Sequence, residues 1–188
     1  MKSLHLTQPH AIVMVGIPGS GKSFFAEKFA DTFGAPYISF DVIRDITETS
    51  NSVVTKLFMR ELTEIAKTKS SIVIEGMSHS RIERTNLAKL LRYHGYEPLF
   101  VWVQIDTASA KTRSLKTKPH RTQEQHIALA KKFSPPHSNE KPLVISGKHT
   151  YASQVKVVLK RLSAPRADIS THTVTPTRSL ADVRRNKS

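Results

Sequence analysis

The chain reads as a three-layer α/β/α domain on a mostly parallel five-stranded sheet. Three observations predict it. Short apolar runs rich in Val and Ile alternate with longer stretches of helical periodicity. Those runs are apolar throughout, so each reads as a strand covered by helices on both faces. A glycine-rich loop separates the first run from the first helical stretch, at the carboxyl edge where such sheets bind ligands.

Strands are expected at 11–15, 36–40, 71–74, 99–105 and 143–145. Helices are expected at 22–33, 52–67, 80–94, 107–116, 122–132 and 151–162. The first strand rests on Ala11-Ile12-Val13-Met14-Val15, and the first helix on Phe25, Phe29 and Ala30 falling on one face. Asp106 is the expected cap of the helix at Thr107. Trp102 reads as a core or sheet-face residue. Residues 1–163 form the expected domain. Residues 164–188 are rich in Ser, Thr, Pro and charge and are expected to be a basic, disordered tail.

The glycine loop is Gly16-Ile17-Pro18-Gly19-Ser20-Gly21-Lys22-Ser23, which fills G-x-x-x-x-G-K-[ST] at every fixed position. Without Cβ atoms, Gly16, Gly19 and Gly21 let the backbone curl and present N–H groups to an anion. Together with Ser20 and the following helix N-terminus they form a phosphate cradle. Lys22 then reaches the β/γ-phosphates and Ser23 places a hydroxyl on Mg²⁺, so ATP and Mg²⁺ are the expected cofactors.

Further candidates stand just after the other strands. Asp41 ends the second, with Arg44 three residues on. A carboxylate there suits a general base toward a hydroxyl, and a guanidinium beside it suits an acceptor phosphate. A helix cap at Asp41 with a surface ion pair is the simpler reading. Glu75 ends the third strand, placed to support the Mg²⁺ shell through water or to orient an acceptor; a strand-end acid paired with a base is the alternative. Arg81 and Arg84 open the next helix, as anion ligands or as a solvated face. Basic residues crowd 111–132, and the helices at about 107–132 read as a lid. In it Arg113 and Arg121 are candidates to neutralise a transferring phosphoryl group.

Composition narrows the field. Lys and Arg number 29 against 15 acids, a net charge of +14. Residues 164–188 carry five basic and two acidic residues, a net +3, which leaves +11 on residues 1–163. Such a surface attracts polyanions and phosphorylated molecules. There is no cysteine, hence no disulfide framework or thiolate chemistry. No 18-residue apolar run and no signal-like N-terminus is found, so a cytoplasmic protein without a membrane span is expected. The nine histidines are scattered and show no paired metal-ligand spacing.

With the glycine loop, Asp41-x-x-Arg44 and the acid-ended third strand, residues 11–162 resemble the small P-loop kinases of the polynucleotide 5′-hydroxyl kinase and zeta-toxin-like group, AAA-type ATP-binding proteins. The resemblance implies a P-loop NTPase fold and transfer of the ATP γ-phosphate to an acceptor hydroxyl. It also implies Asp41 as base, Arg44 on the acceptor-side phosphate, and Arg113 and Arg121 in the lid. The chain departs from that group after the third strand, with Glu75-Gly76-Met77-Ser78 in place of an Asp, a small residue, Thr and Asn. A nucleic-acid 5′-hydroxyl is the preferred acceptor because of the charge. A small metabolite, or no acceptor at all in an ATP-hydrolysing RNA-binding switch, are the alternatives.

Overall fold

Five strands, β1 (His10–Val15), β2 (Tyr37–Ser39), β3 (Ile72–Glu75), β4 (Glu97–Gln104) and β5 (Leu143–Ser146), pair in the order β2–β3–β1–β4–β5. Every pairing is parallel. The chain is seen here in a computed structural model that describes residues 8–117 and 122–164. Arg121 and the expected tail from 165 onward lie outside the described residues.

The core follows from strand alternation. Ala11, Val13 and Val15 of β1 face one side, and Ile12 and Met14 the other; all five are fully buried. The first side is covered by α3 (Asn51–Ala66) and α4 (Arg81–Tyr93) through Phe58, Leu62, Leu87 and Leu91. The second is covered by α1 (Lys22–Phe33) and α7 (Tyr151–Leu162) through Phe25, Phe29, Val158 and Leu162. Burying one Phe or Leu contributes about 1.5–3 kcal/mol, so these two layers hold the sheet between them. Trp102 packs against the first cluster, as expected. β1 lies between β3 and β4, which puts its carboxyl end at the crossover point of the sheet. No helix among the described residues is long and apolar enough to cross a membrane.

Two expectations are corrected here. β2 stops at Ser39, and a short helix α2 (Phe40–Thr47) begins at once. Ser39 is its cap, accepting a hydrogen bond from the Val42 N–H at 3.4 Å. Asp41 is therefore not the N-cap; it sits in the first turn, where a negative charge suits the helix dipole.

The second correction concerns Arg84. It is neither a ligand open to a bound phosphate nor part of a solvated face, being 1% exposed. Its Nε donates to Glu140 Oε2 at 2.6 Å and its Nη2 to Glu140 Oε1 at 3.0 Å. Its Nη1 donates to the carbonyls of Ser78 (3.0 Å) and Ser134 (2.9 Å). The anion expected to ease a cation at this helix start is thus Glu140, brought in by the short 3-10 helix Ser138–Glu140. Arg81, by contrast, is exposed.

Breaking a buried pair strands a charge, so Arg84→Ala should cost about 3–5 kcal/mol, measured by urea unfolding. The hydrogen bonds from Arg84 hold the Glu140 carboxyl below the usual carboxylate range. A depressed folded value means the pair's stabilisation is complete above the unfolded carboxylate value and is lost as pH falls through the folded one. Unfolding curves recorded down an acid series should show this loss in the wild type and a shallower one in Arg84→Ala.

Candidate active site

The glycine loop leaves the carboxyl end of β1 and runs into α1. Gly16, Gly19 and Gly21 all have positive φ, at 146°, 79° and 101°. At Gly19 the need is strict. A methyl group there would collide with the Ala110 carbonyl and stand 2.9 Å from the Ser114 N. Both belong to α5 (Thr107–Thr117), which therefore packs directly on the loop. Lys22 turns back over the loop, its Nζ donating to the Ile17 carbonyl at 3.0 Å. The Ser20 hydroxyl is buried without a hydrogen-bond partner among the described residues. Such a group costs about 1–3 kcal/mol, a penalty that a phosphate oxygen would relieve. The cradle therefore fits a phosphate.

Glu75 ends β3 and is 8% exposed. Two hydroxyls of the described residues bond it. Ser23 Oγ donates to Oε1 at 2.8 Å and the Tyr37 hydroxyl to Oε2 at 2.7 Å. Burial chiefly, with the Glu75 carboxylate beside it, pushes the Tyr37 phenol far up, so it stays a donor. Register explains the meeting: Tyr37 stands opposite Val73, two residues before Glu75 and on the same sheet face. A serine hydroxyl and a carboxylate at this separation are the hard oxygen donors that Mg²⁺ takes. The pair fits the ion expected from the loop sequence.

Asp41 and Arg44 are brought together. Arg44 Nη2 lies 2.9 Å from Asp41 Oδ1 and also bonds Asp45 at 3.2 Å. The Asp41 and Arg44 side chains are 43% and 34% exposed, so the pair contributes under about 1 kcal/mol and rearranges at little cost. It stays at the carboxyl end of β3 because α2 starts against Gly76. At φ 127° a methyl group on Gly76 would stand 2.5 Å from Phe40 Cβ. Arg113, on α5, donates to the Gly147 carbonyl at 2.8 Å. The open side of Gly147 faces the Ser20 carbonyl, so Arg113 flanks the glycine loop from the β5 side. α5 packs against α6 (Gln123–Lys131). Asp106 does cap α5, accepting from the Ser109 N–H at 2.8 Å, and it also binds Lys148.

Sequence reasoning gave no role to His79, which is half-buried beside these groups. Burial chiefly, with the charge of Lys22, holds its imidazole below the usual range; Glu83, Asp41 and Glu75 pull the other way. Tyr37 was missed too. No short motif marks either, since each depends on which strand or loop lies alongside. A cleft of about 730 Å³ opens beside Glu27, Asp31 and Tyr37 on the flank of α1. Its acidic lining is unsuited to a phosphorylated ligand.

A family model described as an AAA domain matches residues 12–136, from β1 past α6. The chain belongs to that family. Among curated proteins, none matches this AAA domain by sequence. Solved structures do match it. A gluconokinase from Sinorhizobium meliloti 1021 is 20% identical with a TM-score of 0.60, over 82% of this chain and 91% of its own. The Mycobacterium tuberculosis APS kinase CysC, solved with AMPPNP and APS, is 15% identical with a TM-score of 0.66, over 84% and 99%. A chain of the Pnkp1/Rnl/Hen1 complex is 19% identical with a TM-score of 0.52, over 60% and 41%. At these identities the likeness is one of fold, and the P-loop α/β architecture is shared by all three.

Gly19→Ala tests the loop geometry. The substitution should weaken binding of a non-hydrolysable ATP analogue at least about tenfold in titration calorimetry. Unchanged affinity would remove the close packing of α5 as a condition for nucleotide binding.

Proposed function

We propose that this AAA domain is a P-loop kinase that moves the γ-phosphate of ATP onto an acceptor hydroxyl, with a nucleic-acid 5′-hydroxyl as the preferred acceptor. The observation that carries the reading is the Asp41–Arg44 pair on α2, a helix that starts against Gly76 at the carboxyl edge of the sheet from which the glycine loop also leaves. A protein that only bound or hydrolysed ATP would have no use for a base and a phosphate fork at that place. The net charge of +14 favours a polyanionic acceptor. A small phosphorylated metabolite is the second reading, favoured by the fold shared with proteins named as a gluconokinase and an APS kinase.

The roles follow from position. Backbone N–H groups of residues 16–23 hold the phosphates, and Lys22 exchanges the Ile17 carbonyl for phosphate oxygens. Ser23 and Glu75 would hold Mg²⁺, which when bound would supply positive charge against the phosphates. Arg44 forks onto an acceptor-side phosphate and fixes the hydroxyl in line. The acceptor oxygen bonds the γ-phosphorus as the bond to the bridging oxygen breaks. The electron pair leaves with ADP, and the acceptor proton passes to Asp41. Residues 107–132 act as the lid, with Arg113, and Arg121 beyond the described residues, stabilising the transferring charge.

Radiolabelled γ-phosphate ATP, offered with 5′-hydroxyl oligonucleotides, tRNA and small metabolites, tests the reading. Label on an oligonucleotide end is the expected result; label only in free phosphate contradicts a kinase. Lys22→Ala should abolish transfer in a folded protein. Asp41→Asn should bind ATP normally yet lose roughly 10²–10⁴-fold in transfer rate. Wild-type transfer by Asp41→Asn would remove its role as base.

A further inference from the structure

Glu75 is gripped at both of its oxygens, and the two grips come from different elements. Ser23 Oγ, on α1, donates to Oε1 at 2.8 Å. The Tyr37 hydroxyl, on β2, donates to Oε2 at 2.7 Å. Each hydroxyl has one hydrogen, and each directs it at the carboxylate. The Ser23 oxygen thereby keeps its lone pairs for a cation. Register confines the side chain further. Glu75 stands opposite Met14 of β1 and Ser39 of β2. Residues directly opposite share a sheet face, so Glu75 projects between them. Met14 is fully buried and has no hydrogen to donate. Tyr37 is fixed in its turn: its strand pairs with β3, and its side chain packs on the apolar cluster between α1 and the sheet.

We propose that Tyr37 is a positioning residue that sets the metal preference of this site: by holding Glu75 Oε2, it limits the carboxylate to one oxygen toward a cation at Ser23 and so favours Mg²⁺ over Ca²⁺. The inference rests on the metal assignment within the kinase reading. The two ions differ in what they demand. Mg²⁺ is small, takes near-ideal octahedral geometry at about 2.0–2.1 Å and keeps several waters. One carboxylate oxygen, direct or through water, serves it. Ca²⁺ takes about six to eight oxygens at about 2.3–2.6 Å in flexible geometry, and often uses both oxygens of one carboxylate. To offer both, Glu75 would have to withdraw Oε2 from Tyr37 and leave the half-buried phenol without its acceptor. A Tyr37 that only satisfied a buried oxygen would leave the preference between the two ions untouched.

AMPPNP binding by titration calorimetry, in Mg²⁺, in Ca²⁺ and without metal, tests this independently of phosphoryl transfer. Melting temperature and metal-free affinity serve as controls. In the wild type, Mg²⁺ should raise AMPPNP affinity roughly tenfold more than Ca²⁺ does. Tyr37→Phe keeps the ring and removes only the donor, and should shrink that ratio by roughly tenfold, toward parity. Replacing Tyr37 by p-aminophenylalanine returns a donor to the same place on the ring and should restore the preference. An unchanged Mg²⁺-to-Ca²⁺ ratio in Tyr37→Phe, whatever its melting temperature, would reduce Tyr37 to a partner of a buried oxygen and overturn the proposal. Equal effects of the two ions in the wild type would overturn it too, and that comparison needs no variant to fold. Neither result touches the kinase reading. If neither ion changes the wild-type affinity, the metal assignment itself falls, and this inference with it.

Discussion

A buried carboxylate at the end of β3 is the constraint on which the rest of the site depends. Glu75 is taken almost wholly out of water, and an unsupported carboxylate there would cost far more than the domain's net stability can absorb. Two hydroxyls, from Ser23 on the nucleotide side and Tyr37 on the β2 side, make the burial tolerable. The same contacts set geometry. Ser23 is the last residue of the phosphate pattern, so the glycine loop and the β2 edge are both tied to the end of β3 by a single group.

A second buried charge does the corresponding work for the loop that follows. Arg84 reaches Glu140 and two backbone carbonyls, tying α4 to the segment that precedes β5. Between these two ionic anchors, Glu75 above and Arg84 below, the residues from Gly76 to Ser80 have little freedom. Asp41, Arg44 and Arg113 differ in kind. They are exposed or weakly paired, so they rearrange at little cost, which suits the acceptor role proposed for them. Rigid support with a loosely held rim is the division of labour seen across the carboxyl edge of the sheet.

What the sequence made legible tracks how local each feature is. The phosphate loop is contiguous, so its residues and its place between strand and helix could be read outright. Asp41 and Arg44 sit three apart, within one helical turn, and their meeting was readable once a helix was supposed. The turn itself was misplaced, because Phe40 continues the apolar character of β2 while Ser39, the true cap, looks like an ordinary strand residue. Glu75 was placed correctly, but its partners were not: Tyr37 meets it only through the register of β2 on β3. Arg84 was misread for the same reason at longer range, since Glu140 lies 56 residues away. His79 showed no pattern at all; its half-burial comes from elements distant in sequence that hold its loop. Arg121 falls outside the described residues.

The claim at the centre is that Glu75 couples the phosphate loop to a bound magnesium ion. The most direct measurement is the Mg²⁺ dependence of ATP affinity, by titration calorimetry, in wild type and Glu75→Gln. Glutamine keeps the size but not the charge; its oxygen accepts from one of the two hydroxyls and its amide N–H donates to the other, so one of the hydrogen bonds reverses. The account predicts that Mg²⁺ strengthens ATP binding in the wild type, and that this gain shrinks by about tenfold or more in Glu75→Gln while metal-free affinity and melting temperature hold. An identical Mg²⁺ dependence in the two proteins would contradict it.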